Sequence, residues 1–268
     1  MMLYVNGCSW TAGLELEHEE ELFNEWAKSQ PPYTNKTDLN LVEFYNMYNW
    51  GAYLGAKLNM PVVNESIGGG SNQRMIRTTL NYINKLTKEQ QQELVVVLGW
   101  TSAERNEIYV DDPAIRGWHR FNMTQPFSDF LGPYEKETAK HTIKSIEELQ
   151  KHYTATGISL VGCVETYLQQ QFMMKNTLEH LGIKYLFFQS VPAWWDTWLG
   201  ENVYEKYATE LKLTEHPANI GIYFNDAMQT VCNLKGFQHG PAMHVLRDGH
   251  KYWAEEVLYP KLMELYSE

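Results

Sequence analysis

The sequence predicts an α/β protein, a three-layer α/β/α sandwich around a parallel sheet. Three observations carry that reading. Short, continuously apolar runs look like strands buried on both faces. Segments of helical periodicity alternate with them. No repeat, low-complexity tract or Gly/Ser linker divides the 268 residues, so a single domain over 1–268 is expected.

The strands read as Leu3–Asn6, Pro61–Glu65, Glu93–Leu98 and Lys184–Val191. A fifth is hard to find, and Ile220–Phe224 is its only candidate. Between them, Tyr45–Leu58 and Asn72–Leu86 carry apolar residues at three-to-four spacing, and a longer helical stretch over 137–181 is expected to break near Gly157. The last helix, Gly249–Tyr266, puts Trp253, Val257, Leu262 and Leu265 on or near one face. Two stretches read as insertions overhanging the carboxyl edge of the sheet: 101–135, rich in Asp, Pro and Gly, and 193–217, with Trp194, Trp195 and Trp198 as a candidate sugar-stacking platform.

Hydrophobic content of 44% and charged content of 21% are those of an ordinary globular protein. A formal net charge of −11 argues against a nucleic-acid partner. The densest charge run, 15–25, reads as a solvated acidic face. Cys8, Cys163 and Cys232 fit neither a disulfide framework nor a zinc spacing, and Cys8 is expected in the core. His239, His244 and His250 lack the i, i+4 spacing of a helical metal pair, so no metal and no cofactor is expected. With no leader or membrane-length apolar run in view, the expectation is a cytoplasmic protein with no membrane partner, unless a virus particle or dedicated exporter carries it out.

Chemistry concentrates at the strand ends. The first strand runs into Gly7-Cys8-Ser9-Trp10-Thr11, placing a hydroxyl where open α/β sheets keep their sites. The second leads into Ser66-Ile67-Gly68-Gly69-Gly70-Ser71-Asn72, whose glycines allow close backbone approach and whose helix start favours an anion or a developing oxyanion. The third gives Gly99-Trp100-Thr101-Ser102. Near the C-terminus, His244 precedes a helix in the run His244-Val-Leu-Arg-Asp-Gly249-His250.

These four blocks, in this order, resemble the SGNH (GDSL-type) hydrolases, and in particular the phage and bacterial branch whose first block is Gly-Cys-Ser. The resemblance implies a flavodoxin-like sheet and an acyl-transfer reaction on an O-acyl ester, including an acetylated carbohydrate. It assigns Ser9 as nucleophile, its N–H and that of Gly69 (or Gly70) to the oxyanion hole, and His244 as general base. Two positions depart from the family pattern. Thr101 stands where the third block carries asparagine, with Trp100 and Thr101 as substrate-side residues and Asn72 as a substitute donor. Pro241 stands where the acid precedes the histidine, leaving either a Ser-His dyad or an acid from elsewhere; Asp248 is preferred over Asp226.

Two rival readings belong to other classes. One is a catalytically degenerate binding or virion-associated module, motivated by the missing acid and the Asn-to-Thr change. The other is a nucleotide-binding protein using 68–72 as a phosphate cradle, although that segment lacks the lysine of a P-loop. Arg74 and Arg77, just past the glycine turn, are candidate contacts for an anionic substrate, and Arg105 with Glu107 reads as a stabilising pair.

Overall fold

The computed structural model describes residues 1–30, 41–122, 126–155, 160–191, 209–213, 218–220 and 226–266. The strands are β1 (Met2–Gly7), β2 (Val62–Asn64), β3 (Leu94–Trp100), β4 (Arg105–Val110), β5 (Gly117–Asn122), β6 (Lys184–Gln189) and β7 (Asn219–Ile220). The helices are α1 (Ser9–Ala12), α2 (Glu20–Ser29), α3 (Leu41–Tyr48), α4 (Trp50–Leu58), α5 (Asn72–Ile83), α6 (Lys88–Gln92), α7 (Pro133–Thr138), α8 (Lys140–Ala155), α9 (Leu160–His180), α10 (Met228–Leu234), α11 (Arg247–Tyr252) and α12 (Tyr259–Tyr266). A π-helical turn, Trp253–Leu258, joins α11 to α12.

The main sheet has the order β2-β1-β3-β6-β7 with every pairing parallel, as the apolar runs predict. Its two faces can be read directly from β3. Leu94, Val96, Leu98 and Trp100 join Met75 of α5 and Val164, Leu168 and Leu178 of α9. Val95 and Val97 point the other way, to Trp50 and Leu54 of α4, Met228 of α10, and Trp253, Leu258 and Leu262 of the C-terminal helix. The two-residue period of a strand thus builds both helix layers from one apolar run.

The helical expectations hold with two breaks. Asn49 divides the stretch 45–58: its side chain accepts the Ala52 N–H at 3.0 Å and caps α4. The stretch 137–181 becomes α7, α8 and α9, and Gly162 lies inside α9; the expected break at Gly157 falls outside the described residues. So do residues 221–224 of the fifth-strand candidate and the Trp194, Trp195 and Trp198 cluster.

The first insertion contains an antiparallel hairpin, β4–β5, paired from Arg105↔Asn122 to Val110↔Gly117. One face carries Ile108, Val110 and Phe121 and packs on Phe127, Ile143 and Ile146, a small core of its own. The opposite face carries Arg105, Glu107 and Arg120, and lies toward α5. A two-stranded ribbon needs such a support to be stable.

Candidate active site

Strand order reverses between β1 and β3, and ligands of open α/β sheets gather outside that point. The register partners Gly7 and Gly99 end these strands there. A β-carbon on Gly7 would stand 2.8 Å from Gly99 O, and one on Gly99 would stand 2.5 Å from both Thr11 Oγ1 and Ser190 Oγ. These glycines therefore make room for the chain's own α1 to cross the strand ends. Ser9 is the first residue of α1 and is buried. The first N–H groups of a helix have no acceptor within it, so the Ser9 N–H is available at this edge.

His244 approaches from the other end of the chain. Residues 237–246 fold back on themselves through a His239↔Val245 bridge, with Gly240 N–H donating to His244 O at 2.8 Å. Glu15 enters this turn. Its Oε1 accepts the Ala242 N–H at 2.6 Å, and its Oε2 accepts the His244 N–H at 2.9 Å and lies 3.0 Å from His244 Nδ1. Gly240 is required by the approach, because a β-carbon there would stand 2.7 Å from Glu15 Cβ. The Trp10 ring packs beside the His244 ring, centroids 5.7 Å apart. A residue adjacent to Ser9 and one six positions beyond it thus both hold His244, which joins the two termini at one sheet edge.

Glu15 sits at φ +74, a backbone state that costs a residue bearing a β-carbon roughly 1–2 kcal/mol. Burial pushes its carboxyl pKa up, but the hydrogen bonds from the Ala242 and His244 N–H groups and from the imidazole outweigh this, and the group lies below its ordinary value. A carboxylate on Nδ1 fixes the tautomer that leaves Nε2 as the basic nitrogen. The acidic run 15–25 is therefore no uniform solvated face: Glu15 is buried, and Glu19 Oε1 accepts the Arg247 N–H at 2.8 Å.

The other expected residues divide sharply. Asp248 does not reach His244; its side chain is 73% exposed and contacts Arg247 Nε at 3.4 Å. Asn72 is no free donor. Its amide nitrogen donates to Thr101 O at 3.1 Å and Ser102 O at 3.2 Å, and its oxygen accepts the Thr101 N–H at 3.0 Å, so it ties α5 to the end of β3. Trp100 is buried on the α9 side, edge-on to Tyr167 and Phe187, with no open surface for substrate. Thr101 is fully buried and its Oγ1 has no partner among the described residues. His250 is core: burial pushes its pKa down to about 3, and its Nδ1 accepts the Trp50 N–H at 3.3 Å. Glu107 pairs with Arg77 instead of Arg105, at 3.0 Å.

The glycine turn lies against the β1 end, since a β-carbon on Gly70 would stand 2.9 Å from Gly7 O. Gly69 has φ +65, which suits glycine, and its N–H makes no backbone hydrogen bond among the described residues. Arg120 of the hairpin lies directly on it: a Gly69 β-carbon would stand 2.9 Å from Arg120 Cζ and closer still to Nη1. Burial, then the charges of Arg105 and Arg74, pull the Arg120 pKa below its usual value.

Sequence reasoning missed Glu15 as the partner of His244 and Arg120 as the neighbour of Gly69. Glu15 carried no spacing signal because its partners are some 230 positions away. Among the described residues there is no group of three or more His, Cys, Asp or Glu side chains that could hold a metal, and no helix long and apolar enough to cross a membrane. The three cysteines are free, Cys8 and Cys232 buried.

The class defined here is a parallel α/β protein with a serine at the first strand end and a carboxylate-paired histidine packed against the neighbouring Trp10. Residues 31–267 match the model described as "Family of unknown function (DUF6071)", and the chain belongs to that family. No curated protein matches the sequence. Three solved structures are similar in shape. A member of the lipolytic protein G-D-S-L family from Veillonella parvula DSM 2008 has TM-score 0.48 and 12% identity, over 100% of this chain and 99% of that one. TesA has TM-score 0.46 and 15% identity, over 99% of each. The acetyl xylan esterase Est2A from the rumen bacterium Butyrivibrio proteoclasticus has TM-score 0.45 and 12% identity, over 99% of this chain and 64% of that one.

Proposed function

We propose that the protein is a serine acylhydrolase acting on a small O-acyl ester. The observation that carries this reading is the Glu15–His244 pair, held six residues from Ser9 in the chain and leaving Nε2 as the base. Ser9 Oγ attacks the ester carbonyl as its proton passes to His244 Nε2. The N–H groups of Ser9 and Gly69 hold the oxyanion. The imidazolium then protonates the departing alcohol, leaving an acyl-Ser9 ester. Water, deprotonated by the same nitrogen, releases the acid and restores the hydroxyl. Glu15 holds the imidazole in one tautomer and stabilises its charge, the role the sequence reading gave to Asp248.

The narrower substrate expectation is an acetylated carbohydrate. Purified protein is expected to release 4-nitrophenol from 4-nitrophenyl acetate, to react with a fluorophosphonate probe at Ser9, and to lose both properties in Ser9→Ala and His244→Ala. Release of acetate from acetylated xylan oligosaccharides, followed by mass spectrometry, tests the carbohydrate assignment separately.

One observation favours a non-hydrolytic relative. The third block offers a buried threonine, and the Asn72 amide is fully engaged elsewhere. Loss of one oxyanion donor costs about 2.7–4 kcal/mol of barrier, which slows catalysis without abolishing it. Absence of labelling at Ser9 in folded protein would favour the binding module.

A further inference from the structure

Among the described residues the tryptophans are buried, with one exception. Trp10, Trp26, Trp50, Trp100 and Trp253 are at most 5% exposed, whereas Trp118 of β5 is 50% exposed. Tyr109, opposite it on β4, is 51% exposed. Single exposed apolar side chains are ordinary, but neighbouring exposed rings form a contiguous patch, the kind of surface that binding sites use. The two rings meet edge to face, centroids 5.4 Å apart. The Arg77 guanidinium of α5 lies 4.9 Å from the Trp118 ring centre. Glu107 holds that guanidinium through hydrogen bonds of 3.0, 3.1 and 3.2 Å. The indole is thus braced by Tyr109 and Arg77 while half of it stays in water.

This braced pair belongs to the surface that reaches the candidate site. Alternation along the hairpin puts Glu107 and Tyr109 of β4 and Trp118 and Arg120 of β5 on one face. Arg120 lies on Gly69, and Trp118 stands two residues before Arg120. That spacing is about 6.8 Å along a strand. The Glu107 N–H donates to Gln73 Oε1 at 2.9 Å and fixes the same face to α5. The Tyr109 hydroxyl and the Trp118 indole N–H make no hydrogen bond among the described residues. A pyranose ring presents C–H groups on its face and hydroxyls around its rim, so an open aromatic surface with unengaged O–H and N–H groups at its edge meets both. A braced ring also loses little conformational freedom on binding. Nucleic-acid bases stack on such rings too, but a net charge of −11 opposes their phosphates. Two rings fall far short of a stable protein interface, which takes about 20–30 residues a side.

We propose that Tyr109 and Trp118 form a stacking platform for a pyranose ring, so that the ester cleaved at Ser9 is carried by an oligosaccharide whose neighbouring sugar units lie along the β4–β5 hairpin. This rests on the hydrolase reading for the ester only; the sugar platform itself stands on the two rings. It gives the alcohol part of the substrate a binding surface away from the reacting atoms, and favours an oligosaccharide ester over a small free one.

The test separates the two claims. Xylohexaose, cellohexaose and mannohexaose, which carry no ester, are titrated calorimetrically into wild type, Tyr109→Ala, Trp118→Ala, Trp118→Phe and the surface control Tyr134→Ala, with circular dichroism confirming folding. Saturable binding of at least one of the three is expected in wild type and Tyr134→Ala, with at least tenfold weakening in Tyr109→Ala and Trp118→Ala and a smaller loss in Trp118→Phe. Tyr109→Ala, which leaves the Arg77 brace in place, carries the comparison if Trp118→Ala does not fold. If folded wild type binds none of the three, or the folded alanine variants at 109 and 118 bind within threefold of wild type, the platform is refuted. In parallel, kcat/KM for acetate release from the acetylated form of the tightest-binding oligosaccharide is divided by kcat/KM for 4-nitrophenyl acetate. A fall of tenfold or more in that ratio in Tyr109→Ala or Trp118→Ala supports the substrate assignment; an unaltered ratio overturns it. Oligosaccharide binding without hydrolysis of any ester would refute the hydrolase reading while leaving the platform intact.

Discussion

The two sides of the candidate site are built on opposite plans. On the histidine side the Glu15 carboxylate is fully engaged, although His239 Nε2 in the same turn is buried without a hydrogen-bond partner among the described residues. Glu15 accepts two backbone N–H groups and contacts the imidazole, and Gly240 lets it come close. On the glycine-turn side the groups are crowded: Arg120 covers Gly69, and Arg105 Nη1 and Thr101 Oγ1 are buried without a hydrogen-bond partner among the described residues. A matched network holds one geometry before any ligand arrives. An unmatched one leaves free energy for a ligand to recover. On the proposed reading, the histidine side supplies the base and the glycine-turn side an oxyanion donor.

The strongest way to break this contrast is Glu15→Gln. The amide keeps the shape and an acceptor oxygen, but its NH2 faces donors and no longer fixes the imidazole tautomer. We expect kcat to fall on the order of 10³–10⁴-fold with folding retained, the scale of a lost orienting carboxylate in a serine triad. A change under threefold would remove Glu15 from the mechanism. Asp248→Asn, by contrast, is expected to leave kcat unaltered.

Next in size is Asn72→Ala. Removing the amide leaves the Thr101 N–H without its acceptor at a buried strand end, while the Thr101 and Ser102 carbonyls keep the Gln189 amide and the Arg105 N–H. Unmatched buried groups cost about 1–3 kcal/mol each. A stability loss of about 1–3 kcal/mol in urea unfolding is expected. Were Asn72 an oxyanion donor, kcat would fall with stability unaltered, so the pair of measurements distinguishes tie from donor.

These outcomes bear on what a chain discloses before it folds. The sheet was legible because strands buried on both faces are continuous apolar runs, as in Leu94–Trp100, and the glycine turn because three consecutive glycines have few other uses. Trp100 was misjudged although its signal was present: it shares the parity of Leu94, Val96 and Leu98 and so had to face the helices. Glu15 was hidden for a different reason. A carboxylate in an acidic stretch looks solvated until a turn some 230 residues later closes over it. The hairpin arginines were hidden because a register, unlike a strand, exists only once both partners pair.

Acid titration sharpens the matched side. Because the Glu15 carboxyl is held below its ordinary 4.5 in the folded protein, it adds stability above that value and loses it as pH falls through the folded pKa. Wild type should therefore exceed Glu15→Gln in unfolding free energy at pH 7. The gap should close with acidification below about pH 4.5. A gap independent of pH would mean that the carboxylate's charge contributes nothing to the pairing.

The smallest effect is expected at Asp248, and it is informative for that reason. Asp248 stands in the first turn of α11, exposed, with an adjacent arginine as its one ion-pair contact among the described residues. Its contribution is that of an acidic residue near a helix start, about 0.3–1 kcal/mol at low ionic strength. Asp248→Asn should therefore lower stability by less than about 1 kcal/mol, and the loss should shrink further when salt is raised to about 1 M, where screening extends over only about 3 Å. A larger, salt-insensitive loss would mean that Asp248 has a buried partner, and that Glu15 is not the only carboxylate organising this end of the sheet.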